Sequence, residues 1–194
     1  MRDKSRSRFL MEAVRNFRAT GAIAPSSPEL ARLMVGEASL AGARAVVELG
    51  PGGGAFTPLI LAGLDTEASY LGIEVNGAFV SELSERHPGT DFAEGSALHV
   101  REFLEERGRA ACDRVVSGIP WMSLPREERE AMIAAVADVI EPGGRFVTFS
   151  YVPLDRLPRG RAFRDLLGRH FSQVRRTGVV TANLPPAFAY SCVR

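Results

Sequence analysis

Val46-Val47-Glu48-Leu49-Gly50-Pro51-Gly52-Gly53-Gly54-Ala55-Phe56-Thr57 is the stretch on which the fold turns. A short apolar run enters a turn with glycine at four of five positions, and a helical pattern follows. Glycine takes positive φ at no steric cost and lets a ligand approach the backbone. A strand, a glycine turn and a helix in that order form the entry loop of a nucleotide-type pocket, at the carboxyl end of a strand.

Two carboxylates flank this loop. Glu74 ends the next apolar run, Tyr70-Leu71-Gly72-Ile73, where an acid can accept both hydroxyls of a ribose. Glu48 stands two residues before the first glycine, on the strand end expected to face the pocket. The spacing Gly50-x-Gly52-x-x-Ala55 also satisfies the dinucleotide fingerprint, so glycines alone leave NAD open. A carboxylate at Glu48 repels a pyrophosphate and attracts a cation. S-adenosyl-L-methionine carries an ammonium, a sulfonium and a ribose but no phosphate, and it is the favoured ligand. Glu48, Gly50, Gly52, Gly54 and Glu74 are the expected contacts.

Outward from the loop, strands and helices alternate. Strands are expected at 44–49, 69–74, 91–94, 112–118 and 145–151, and helices near 55–63, 77–86, 99–107, 125–140 and 160–170. Glu141-Pro142-Gly143-Gly144 reads as the stop after the fourth of these helices. Apolar runs at 173–181 and 187–193 read as adjacent antiparallel strands. The expected fold class is α/β: a Rossmann-like, seven-stranded, mostly parallel sheet with helices on both faces and an antiparallel C-terminal strand. Ser27, Pro28 and Glu29 form a helix start.

The chain has 194 residues, 45% of them hydrophobic and 24% charged, which fits one globular domain. Its net charge of +1 conceals segregation. Residues 1–20 carry a net +4 and residues 155–176 a net +5, whereas residues 21–154 carry −9. Phe9, Leu10, Ala13, Val14 and Phe17 share one helical face, with Arg6, Arg8, Arg15 and Arg18 around it. Such a helix can lie in a lipid headgroup layer; packing against its own domain is the alternative. The division is a membrane-binding helix over 1–20 and a catalytic domain over 21–194. No apolar run is long enough to span a membrane, and no secretory signal pattern is present. A cytoplasmic protein, peripheral on the inner face of the membrane, is expected. Cys112 and Cys192 sit in apolar runs as core thiols, and no Cys/His spacing suggests a metal.

Ser117-Gly118-Ile119-Pro120-Trp121 follows the fourth strand, beside the first in the expected sheet. The carbonyls of Ser117 and Gly118 are expected at the pocket mouth, where they accept the N–H groups of an amine and aim its lone pair. Trp121 offers an aromatic wall for the growing cation, or else caps the core. Rate gain then comes from alignment and desolvation.

With these motifs assembled, the chain resembles the bacterial phospholipid N-methyltransferases, S-adenosylmethionine enzymes close to the ribosomal RNA adenine dimethyltransferases. The resemblance runs through Thr20-Gly21-Ala22-Ile23-Ala24-Pro25-Ser26-Ser27, the Glu48–Gly52 loop, Glu74, Val116-Ser117-Gly118-Ile119-Pro120, Glu141-Pro142-Gly143-Gly144, Phe149-Ser150-Tyr151 and Asn183-Leu184-Pro185-Pro186-Ala187. It implies methyl transfer to the head-group amine of a membrane lipid, first of all phosphatidylethanolamine. It also implies cofactor contacts at Val75, Ser96, Ala97 and Ser117, with Ser117, Gly118, Pro120, Trp121 and Tyr151 at the reacting end. Gly95-Ser96-Ala97 departs from the family's Gly-Asp-Ala, leaving a neutral partner for adenine. Trp121 replaces a smaller apolar residue, a departure that would suit another amine lipid such as ornithine lipid. His99 and Tyr151 are candidate bases, with direct proton loss to water as the alternative.

An RNA adenine dimethyltransferase is the nearest rival. It would need an Asn-Leu-Pro-aromatic loop to hold a flipped base, where this chain has Ser117-Gly118-Ile119-Pro120. No nucleic-acid partner is therefore expected; the partners are an anionic membrane surface and a lipid substrate. A small-molecule methyltransferase would leave the basic helix unexplained; a non-catalytic membrane-binding module with a relic cofactor pocket is a third reading, separated by cofactor titration with a turnover assay.

Overall fold

The computed structural model describes residues 26–194. The basic segment 1–20, and with it the expected membrane helix, lies outside the described residues. Helices α1 (Pro28–Ala38), α2 (Thr57–Ala62), α3 (Gly77–Arg86), α4 (Val100–Glu105), α5 (Arg126–Val139) and α6 (Pro158–His170) surround strands β1 (Ala45–Leu49), β2 (Ser69–Glu74), β3 (Phe92–Glu94), β4 (Cys112–Ser117), β5 (Ile140–Tyr151), β6 (Gln173–Arg176) and β7 (Ala187–Val193). The strands form one seven-stranded sheet in the order β3-β2-β1-β4-β5-β7-β6. The first five pair in parallel, and β7 inserts antiparallel between β5 and β6.

Strand alternation assigns each core to a face. Val47, Leu49, Val115 and Phe146 pack with Met132, Ile133 and Val136 of α5 and Phe163 and Leu167 of α6. Val46, Val116 and Val147 point the other way, toward Leu30 and Met34 of α1 and Ile60 of α2. All five residues of β1 are buried, as a central parallel strand requires. Ser27 caps α1 by accepting from Leu30 N–H, and its own N–H donates to Asn183 Oδ1 at 2.9 Å. Asn183 Nδ2 donates to the Pro185 carbonyl at 2.7 Å, so this side chain ties the start of α1 to the β6–β7 loop.

One boundary differs from the sequence reading. Glu141-Pro142-Gly143-Gly144 does not stand between α5 and a strand beginning at 145; β5 is extended from Ile140 onward. Gly143 takes a φ of +79° and donates its N–H to the Arg194 carbonyl, and the pairing with β4 shifts register there. The run is thus a bulge within the strand. Cys112 and Cys192 are free and buried, and burial pushes both thiols up to about 12.

Candidate active site

The sheet order reverses at β1, with β2 on one side and β4 on the other. In open α/β sheets ligands bind outside the carboxyl ends of the strands at that point. Both motifs read from the sequence meet there. Gly50, Gly52 and Gly54 have φ of +65°, +56° and +80°, so each uses the conformation that glycine alone adopts freely. Gly50 N–H donates to the Ile73 carbonyl at 2.8 Å and Gly118 N–H to the Leu49 carbonyl at 2.7 Å. The turns after β1 and β4 lie so close that a Cβ on Gly118 would stand 2.5 Å from the Gly50 carbonyl oxygen.

Glu74 sits beside the glycine turn. Its Oε2 accepts from Gly52 N–H at 2.9 Å and its Oε1 from Asn76 N–H at 3.0 Å. Val75 is buried next to it. Gly95 N–H donates to the Glu74 carbonyl, which brings the turn after β3 to the same end of the sheet. On that turn Ser96 Oγ accepts from Leu98 N–H at 3.2 Å and Ala97 is buried. A small-residue turn with open space beside Gly53 and an anchored carboxylate fits an adenosyl ligand at this edge.

Glu48 requires a correction. It has no exposed surface and lies beneath the turn rather than on an open wall. Its Oε2 accepts from Tyr70 Oη at 2.5 Å and Thr57 Oγ1 at 2.8 Å. Gly72 pairs with Glu48 across the strands, and a Cβ there would stand 3.0 Å from Tyr70 Oη. The Phe92 ring stands closer still, at 2.5 Å, so the missing side chain makes room for both rings over this strand pair. Burial outweighs both donors and pushes the Glu48 carboxyl up to about 7. Its role is to tie β1, β2 and the start of α2 together under the loop. Tyr70 and Thr57 are absent from the sequence expectation for this site, because no local pattern places two hydroxyls at one carboxyl oxygen.

The acceptor side also changes. Trp121 is 1% exposed. Its ring stacks on Phe163, meets Phe146 edge-on, and donates Nε1–H to Thr148 Oγ1 at 2.9 Å. Trp121 therefore chiefly holds the core, with only an edge of the residue at the small pocket described below. Ser117 is buried as well: its Oγ accepts from Ile119 N–H and its carbonyl accepts from Thr148 Oγ1. Of the Ser117 and Gly118 carbonyls, only that of Gly118 receives no hydrogen bond from the described residues. A small pocket lies farther along the same loop, lined by Pro120, Trp121, Met122, Ser123, Phe149, Ser150, Tyr151 and Leu154. Tyr151 is buried and edge-on to Phe149, and burial raises its pKa, so it keeps its proton and is not a base. His99 lies on the turn after β3 with Nδ1 3.1 Å from Glu102 Oε1, and it does not line this pocket. Among the described residues no His/Cys/Asp/Glu cluster is arranged to hold a metal.

No family model matches the chain. It is 32% identical to an ornithine lipid N-methyltransferase from Singulisphaera acidiphila over 188 residues, covering 95% of this chain and 93% of the relative. Solved structures with the same fold include an O-methyltransferase from Bacillus cereus in complex with SAH, with TM-score 0.68 and 18% identity over 95% of this chain and 90% of that one. Another is the O-methyltransferase TomG from Streptomyces achromogenes in complex with SAM, with TM-score 0.63 and 21% identity over 95% and 88%. At these identities the structures speak for the fold, and the curated relative speaks for the family.

Proposed function

The chain belongs to the family of bacterial lipid N-methyltransferases, and on that premise we propose that it moves a methyl group from S-adenosylmethionine to the head-group amine of a membrane lipid. The observation that carries the reading is the junction of two turns. The glycine turn with Glu74 lies in backbone contact with Gly118, and the loop that Gly118 begins runs on through Pro120, Met122 and Ser123, which line a mostly apolar pocket. The ornithine lipid relative supports an ornithine-type head group ahead of phosphatidylethanolamine.

The cofactor, when bound, supplies an electrophilic methyl on a sulfonium. The chain's residues supply position. Glu74, held by Gly52 and Asn76 N–H groups, is the ribose acceptor, with Val75, Ser96 and Ala97 on the adenine side. The Gly118 carbonyl accepts an N–H of the amine and so directs its lone pair. Pro120, Met122, Phe149 and Leu154 exclude water, which strengthens that alignment. An ammonium must lose a proton before it reacts. Tyr151 cannot take it and His99 lies elsewhere, so the proton passes to water at the pocket mouth.

The surface supports lipid docking. Leu157, Val179 and Leu184 are exposed, Leu184 to 75%, on the two loops that the Asp155–Arg176 ion pair and the Val152 N–H to Pro186 carbonyl bond hold together. Among the described residues no helix is long and apolar enough to cross a membrane. Labelled S-adenosylmethionine supplied with amine-lipid vesicles and, separately, with RNA tests the reading. Label in the lipid phase is expected; label in RNA alone would contradict it.

A further inference from the structure

The last residue of α3 reaches over to the glycine turn. Arg86 Nη2 donates to the Gly53 carbonyl at 2.9 Å, and the same nitrogen lies 3.6 Å from Glu82 Oε1, one helical turn earlier. The C-terminal end of a helix favours a cation there. Gly54 leaves the space for this approach: a Cβ on it would stand 3.3 Å from Arg86 Nη2 and 2.8 Å from Cδ2 of the fully buried Leu83. Arg86 itself is exposed.

From Gly53 the hydrogen bonds run on to Glu74. The peptide unit that gives its carbonyl to Arg86 gives its N–H, that of Gly54, to the Pro51 carbonyl at 2.9 Å. The peptide unit that owns the Pro51 carbonyl gives its N–H, that of Gly52, to Glu74 Oε2 at 2.9 Å. Asn76 N–H, at the start of α3, holds the other carboxylate oxygen at 3.0 Å. A guanidinium therefore stands at one end of the series and a carboxylate at the other. The two peptide dipoles between them are aligned head to tail, each carbonyl toward the cation and each N–H toward the anion. Hydrogen bonds in series polarise and strengthen one another. The turn needs such a hold, because a glycine loses more conformational freedom on ordering than any other residue. With carbonyl and N–H both engaged, neither peptide unit can flip without losing two hydrogen bonds.

We propose that Arg86 is a positioning residue for the cofactor: acting through the Gly53–Gly54 and Pro51–Gly52 peptide units, it sets Gly52 N–H and the Glu74 carboxylate in place for the ribose hydroxyls before the cofactor arrives. The inference rests on the reading of Glu74 as the ribose acceptor. Arg86 touches no reacting atom. Its contribution is preorganisation, since a turn already ordered takes nothing from the binding energy.

Calorimetry with S-adenosylhomocysteine and with its 2′,3′-dideoxy analogue tests this on the full chain. Arg86→Met should weaken S-adenosylhomocysteine binding roughly three- to tenfold, the scale of one net hydrogen bond, and should largely spare the dideoxy analogue. Arg86→Lys keeps the cation and should recover part of the loss. In a Glu74→Ala background the effect of Arg86→Met should vanish, the non-additivity expected of groups acting in one network. Unchanged affinity in Arg86→Met overturns the proposal. So does an equal loss for both ligands, or a loss that persists without Glu74, because Arg86 would then only keep the turn folded. Equal affinity of the unaltered chain for the two ligands has a different meaning: it removes the ribose role of Glu74, and the proposal falls with that reading.

Discussion

At Glu48 a carboxyl group without solvent holds two hydroxyl donors on one oxygen, and the other oxygen has no partner among the described residues. The unfolded chain ionises this group near 4.5 and the folded chain only near 7. Between those values the folded state retains the proton and the unfolded state releases it. Stability from this group therefore falls as pH rises through the window, by roughly 3 kcal/mol in all, and is flat above it. Glu48→Gln cannot ionise, so its stability relative to the unaltered chain should rise between pH 5 and pH 8; denaturant unfolding at the two pH values measures this, and parallel curves would mean that the carboxyl ionises freely in the fold. Glu74 differs because both its oxygens face loop N–H groups. Glu74→Ala should weaken S-adenosylmethionine binding by about 1.5–3 kcal/mol, read by calorimetry; unchanged affinity would remove its ribose role.

Among the elements, the β1–β4 pair shows what the sequence could and could not convey. Glycines at 50, 52 and 54 were legible because their positive φ is a local demand that only backbone chemistry meets. Gly118 was read for its carbonyl, yet the absence of its side chain matters as much, since the Gly50 backbone fills that space. Trp121 follows Pro120 and reads equally as a pocket wall or as a cap on the core. A short helical turn over Trp121–Ser123 carries the indole inward to Thr148, a partner 27 residues away that no local pattern announces. Arg86 escapes a sequence reading for the same reason: beside Glu82 and Glu85 it reads as solvated until α3 lies against the glycine turn. Pro142-Gly143-Gly144 read as a helix stop because bulge and turn share their chemistry. Trp121→Ala should lower stability by about 3–5 kcal/mol, with lost turnover tracking the folded fraction. An equally stable variant with an acceptor-specific defect would return the indole to the pocket.

For the whole molecule, charge and apolar exposure both bear on a lipid surface. The net +5 over residues 155–176 includes Arg156, Arg159, Arg161 and Arg164, near exposed Leu157 in sequence, while Val179 and Leu184 stand on the loop joined to that region. Each basic residue near an anionic surface contributes about 1 kcal/mol, and apolar tips add burial in the interface. Leu157→Ser with Leu184→Ser should reduce co-sedimentation with anionic vesicles and lipid methylation together while S-adenosylmethionine binding holds. Phe9→Ser with Phe17→Ser asks the same of the N-terminal segment. Unchanged sedimentation in both double variants would contradict docking through these segments.

The fold is shared with O-methyltransferases, so the atom that receives the methyl decides the account. Fragmentation mass spectrometry of lipid recovered from incubations of the full chain with S-adenosylmethionine and ornithine lipid locates that atom directly. The proposed amine acceptor predicts methyl groups on the head-group nitrogen, formed more slowly by Glu74→Ala at limiting S-adenosylmethionine. A methyl ester on the carboxylate, or no modified lipid with any amine head group, would contradict it.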